Sequence, residues 1–188
     1  CSSNEKQVVD VSYSSNPRTS RFLLQGSDAL KQHNFIQALT LADSADKYAT
    51  QKADVHFFKG RVYSELGRFA EAEQAYKNAL KAAPGYRGVW NNLGNNAYRQ
   101  QNFSQAVNYY GQEITQNQAS IPLRALGRAF VELGKTDSAR TLFQKAIDLD
   151  MNYAAAYFNL AQLEEDEGNF KQALQHAGRA YGIEPDNL

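Results

Sequence analysis

Proline, cysteine and net charge are all scarce in this 188-residue chain. With only four prolines, long stretches contain nothing that blocks a helix. Basic and acidic side chains number 20 each, so no strong field draws the chain toward nucleic acid or an anionic surface. No run of about 18 apolar residues occurs, so no helical membrane span is written in these residues. The single cysteine, Cys1, has no partner for an internal disulfide. Signs of chemistry are missing too. His33, His56 and His176 fall at different phases of the pattern described below, so they cannot share a metal. There is no glycine-rich phosphate loop and no G-x-S-x-G nucleophile motif. The acidic run Glu164 to Glu167 fans around a helix axis and reads as a solvated end. Catalysis needs converging groups, and none converge here. The reading is therefore non-enzymatic, with no metal and no cofactor.

What the chain does have is a period. An alanine recurs at Ala38, Ala72, Ala106, Ala139 and Ala173, in steps of 34, 34, 33 and 34 residues. Twelve residues before each stands a small residue: Gly26, Gly60, Gly94, Gly127 and Ala161. Four before that is usually a large one: Phe22, Trp90, Leu123 and Tyr157, with His56 the exception. Five copies at one period make an array of supersecondary units.

The pattern resembles the tetratricopeptide repeat, a 34-residue helix-turn-helix. The second copy carries it most fully, with Gly60, Tyr63, Ala72, Tyr76, Ala79 and Pro84. The resemblance implies an all-α, right-handed superhelical solenoid of about five repeats, at roughly 19–52, 53–86, 87–119, 120–153 and 154–188. Residues 1–18 would be an extended tether. Gly60 is expected to face Ala72 where the two helices cross closely. Its helix cost of roughly 0.5–1 kcal/mol relative to alanine would be offset by that packing. Gly67 suits a left-handed cap and Pro84 stops the second helix. The 33-residue step reads as a shortened turn at 116–122, with Pro122 at the next helix start.

In this family ligands lie on the inner face, against the first helix of each repeat. That face is expected to carry Arg61, Asn91, Asn95, Tyr98, Arg99, Arg124 and Arg128 as a groove for a peptide or protein segment. Arginine forks and amides suit carboxylates and extended backbone. The set faintly resembles the carboxylate clamp of chaperone-binding members, but the clamp lysines are not matched. Phe57, Tyr98 and Phe158 on the same face support an alternative, a carbohydrate-binding lipoprotein.

The two ends add expectations. Leu174, Tyr181 and Ile183 would form a partly uncovered C-terminal contact patch. In the leader, Val9, Val11 and Tyr13 alternate as in a short strand. The start Cys-Ser-Ser-Asn resembles the mature N-terminus of a bacterial lipoprotein. That implies lipid on Cys1, attachment to the membrane through the lipid alone, and a place in the bacterial envelope, at the outer membrane or periplasm. Together these features point to a scaffold that holds other envelope proteins in a multi-subunit assembly and binds no nucleic acid.

Overall fold

The computed structural model describes residues 16–185. Cys1, the leader strand and the last three residues lie outside them. Among the described residues the chain forms ten α-helices and no strand. They are α1 (Pro17–Lys31), α2 (Phe35–Asp46), α3 (Ala53–Glu65), α4 (Phe69–Ala82), α5 (Val89–Arg99), α6 (Phe103–Gln116), α7 (Ser120–Glu132), α8 (Thr136–Leu149), α9 (Ala154–Asp166) and α10 (Phe170–Ile183). They group into two compact units that divide between Asn96 and Ala97.

Five turns of one kind join the helices pairwise. His33, Gly67, Gln101, Gly134 and Gly168 all have positive φ, and they recur at the repeat period. Each begins a double closure of the helix end. Gly67 N–H donates to the Ser64 carbonyl and Arg68 N–H to the Tyr63 carbonyl, and the other four turns repeat both bonds. This is the Schellman pattern, which satisfies otherwise orphaned carbonyls. The following helix is capped by a side chain in two cases. Asn34 accepts from Gln37 N–H and Asn102 from Gln105 N–H.

In the N-terminal unit, α1 starts inside the segment read from sequence as leader. Asn16 explains why: its side chain accepts from Arg18 N–H, and Pro17 follows at the first helical position. The Asn16 amide also donates to the Tyr48 carbonyl, tying α1 to the end of α2. Leu23, Ala38, Ala42, Val55, Phe58 and Val62 pack α1, α2 and α3 into one core. Gly60 lies under the fully buried Tyr76 ring. A Cβ there would sit 2.5 Å from Tyr76 Cε1.

In the C-terminal unit the same device recurs, with Phe143 2.5 Å from a Cβ placed on Gly127. Leu123, Ala139, Phe143, Ile147, Ala156 and Leu160 bind α7, α8 and α9 together. The connection from α6 to α7 has three residues, 117–119, where α8 to α9 has four, 150–153. Pro122 is buried at the third position of α7. The acidic run is not uniformly solvated. Arg140 of α8 donates to Glu164 at 2.9 Å and to Glu167 at 2.5 Å, and Glu164 is buried and also accepts from Asn169. A carboxylate at a position occupied by Phe130 one repeat earlier is tolerated because this arginine reaches it.

Candidate binding surface

The residues assigned to one inner face fall in two units. Arg61, Asn91 and Asn95 belong to the N-terminal unit, and Tyr98, Arg99, Arg124 and Arg128 to the C-terminal one. In the N-terminal unit Arg61 and Asn95 are half-buried, but Asn91 is only 7% exposed and packs inside. Phe57, expected on the open face, is also core. Its ring meets Tyr76 and Tyr86 at centroid distances of 5.9 and 5.2 Å. The error is one of helical phase. Adjacent residues differ by about 100° around the axis, so a small rotation moves a side chain from open face to packed flank. Sequence reasoning also missed a part-buried pair, Tyr86 donating to the buried Asp54 at 2.6 Å. His56 is half-buried on α3, and burial lowers its pKa, opposed by Asp46.

In the C-terminal unit three of the four residues are held in defined places. Arg124 donates through Nε to Tyr153 Oη at 2.7 Å and through Nη1 to Asn159 at 3.4 Å. Arg128 lies over the Tyr98 ring, 4.9 Å from its centroid, and donates to its hydroxyl at 3.4 Å. Tyr98 in turn donates to Glu132 at 2.7 Å. Burial, then this bond to a carboxylate, raises the tyrosine pKa. Arg99 is exposed at the end of α5. Tyr153 and Asn159 were not singled out from sequence. One signal was available: Tyr153 stands eight residues before Ala161, as Tyr86 stands eight before Gly94.

Beside this network is a cavity of ≈ 310 Å³. Tyr98, Arg128 and Glu132 line one side, and Asn159, Gln162 and Glu165 the other. Asp166 also lines it, and Phe143 and Leu163 contribute apolar surface. Three carboxylates thus face one guanidinium that already rests on a tyrosine. The wall is net acidic, although the arginines alone had pointed to an anionic ligand. Amides supply both donors and acceptors, as an extended backbone requires. Among the described residues no group of three histidine, cysteine, aspartate or glutamate side chains is arranged to hold a metal.

Family models of the tetratricopeptide repeat match residues 53–86 and 154–187, and a TPR-repeat model matches 127–166. The chain carries tetratricopeptide repeats. Human protein O-mannosyl-transferase TMTC3 is 28% identical over 171 residues, covering 77% of this chain. The tetratricopeptide repeat-containing protein trd-1 of Caenorhabditis elegans is 25% identical over 142 residues, covering 75%. The chain spans only 18% of the length of either relative. Among solved structures, PilF of Pseudomonas aeruginosa superposes with a TM-score of 0.79 at 21% identity, over 88% of this chain and 76% of that one. YrrB, described as a TPR protein with an unusual peptide-binding site, superposes with a TM-score of 0.64 at 21% identity, over 88% and 86%. The fold is thus the all-α TPR solenoid fold of these proteins.

Among the described residues no helix is long and apolar enough to cross a membrane.

Proposed function

We propose that the chain is a non-enzymatic adaptor that binds an extended segment of a protein partner, and that the cavity of the C-terminal unit accepts a lysine or arginine side chain of that segment. The observation that carries this reading is the composition of the cavity wall: amides for backbone, Tyr98 and Phe143 for packing, and Glu132, Glu165 and Asp166 for a cation. Arg124 and Arg128 then serve as struts that fix Tyr153, Asn159 and Tyr98 in place. The peptide-binding site described for YrrB is in keeping with a peptide ligand on this fold. The carbohydrate alternative loses support, since Phe57 is buried and Tyr98 is engaged, leaving Phe158 as the accessible ring of those three.

The test is fluorescence anisotropy with labelled extended peptides that differ at one position, lysine or glutamate. The lysine peptide is expected to bind about 10-fold tighter, the equivalent of about 1.4 kcal/mol. Glu165→Gln with Asp166→Asn should erase the difference. Equal affinities, or preference for the glutamate peptide, would contradict the assignment.

The envelope setting is part of the proposal. Cys1 followed by Ser2 and Ser3 is the sequence support for a lipid anchor and a polar tether at the outer membrane. In that setting the partners are other proteins of an envelope assembly. Mass spectrometry of the native N-terminus is expected to find lipid on Cys1; an unmodified thiol in membrane-purified protein would sink the anchor.

A further inference from the structure

Helix α10 carries an apolar stripe on the face by which α8 meets the next hairpin. The stripe runs Phe170, Leu174, Ala177 and Tyr181, with spacings of four, three and four residues. One repeat earlier the matching positions are Thr136, Arg140, Phe143 and Ile147. There Phe143 and Ile147 are 1% and 5% exposed in the core shared with α9, and Arg140 reaches the α9 carboxylates. On α10, Phe170, Leu174 and Tyr181 are 70%, 75% and 58% exposed. Gly178, beside the stripe, has open space where its Cβ would be, so no intrachain contact requires a glycine there.

The α1 helix differs at the positions by which α9 meets α8. Where α9 has Ala156 and Leu160 in the shared core, α1 has Arg21 and Gln25, both exposed. At these two positions a second copy's α1 would set polar side chains against α10, with Leu24 the exposed apolar residue between them, and this disfavours open head-to-tail growth.

We propose that α10 pairs with α10 of a second copy, antiparallel and about a two-fold axis. The four-three-four spacing is the seam of a two-stranded coiled coil. In the antiparallel register that aligns the stripe with itself, Phe170 meets the second copy's Tyr181, and Leu174 meets its Ala177. Large side chains lie against each other at the ends and large against small in the middle, where Gly178 leaves room for close approach. Charges agree with this register. Lys171 comes within one helical turn of the second copy's Glu184, and the two helix dipoles oppose. A contact between two 14-residue helices is smaller than the roughly 1,200–2,000 Å² of standard interfaces, so the dimer should dissociate in the micromolar range.

Sedimentation of the whole chain over roughly 1 to 500 μM is expected to show the mass rise from 21.0 kDa toward twice that value. Leu174→Glu should weaken the dimer at least ~10-fold by placing two carboxylates in the seam. Its thermal unfolding, measured where both proteins are monomeric, should match the parent, because Leu174 is exposed within the chain. Register is read by cysteine cross-linking in a Cys1→Ser background. Phe170→Cys with Tyr181→Cys should link two chains on oxidation. Phe170→Cys alone should not, because its two copies lie about 16 Å apart along the axis. A chain that stays monomeric throughout, a dimer indifferent to Leu174→Glu, or efficient cross-linking through Phe170→Cys alone would overturn the proposal.

Discussion

A glycine within these helices has opposite value at different places. Gly60 and Gly127 each lie beneath a buried ring that cannot retreat, Tyr76 and Phe143. Alanine there gains up to about 1 kcal/mol of helix propensity but forces a core ring aside, an overpacking cost of about 1–3 kcal/mol. Gly60→Ala and Gly127→Ala are therefore expected to lower stability by about 1–2 kcal/mol in denaturant titrations. At Gly111 a Cβ meets nothing within 4 Å, so Gly111→Ala should raise stability by about 0.5–1 kcal/mol. If all three variants shifted the midpoint the same way, the ring-on-glycine account would fail. The period made Gly60 legible in the sequence, and the atoms nearest to its missing side chain belong to Tyr76, one helical turn beyond Ala72 on α4.

At the scale of elements, helix ends and helix pairs were written locally, whereas contacts between hairpins were not. The turns at Gly67, Gly134 and Gly168 follow from glycine's access to positive φ, and Pro17 and Asn16 mark the start of α1. The Arg140 pair with Glu164 joins residues 24 apart in sequence, and no local spacing announces it. The same holds for Tyr86 and Asp54, and for the phases that bury Asn91 and Phe57. Arg140 has one clear consequence. Removing it strands a carboxylate that is nearly out of water, so Arg140→Ala should destabilise the fold by about 3 kcal/mol. A double variant, Arg140→Met with Glu164→Met, should recover most of that loss, because an apolar pair replaces a buried ionic one without an orphaned charge. Thermal and chemical unfolding of the single and double variants checks this. A double variant no better than Arg140→Ala would show that the charge pair is not what the α8–α9 contact depends on.

For the molecule as a whole, repetition accounts for both the fold and the surfaces offered to partners. No hairpin buries its own apolar face completely, so each needs a neighbour. Of the arginines noted in the sequence, Arg124 and Arg128 are held by tyrosines, and amides and carboxylates line the cavity near them. Which charges are already paired is a property of the folded molecule, so the pairing of Arg124 with Tyr153 and of Arg128 with Tyr98 was not legible in the sequence. The most direct test of the account is a ¹⁵N–¹H NMR titration of the whole chain with an extended lysine-containing peptide. The account predicts saturable shift changes concentrated at Tyr98, Arg128, Asn159, Gln162 and Glu165, and their loss in the Glu165→Gln, Asp166→Asn variant. Saturating peptide that leaves these residues unmoved, or moves only α10, would contradict it.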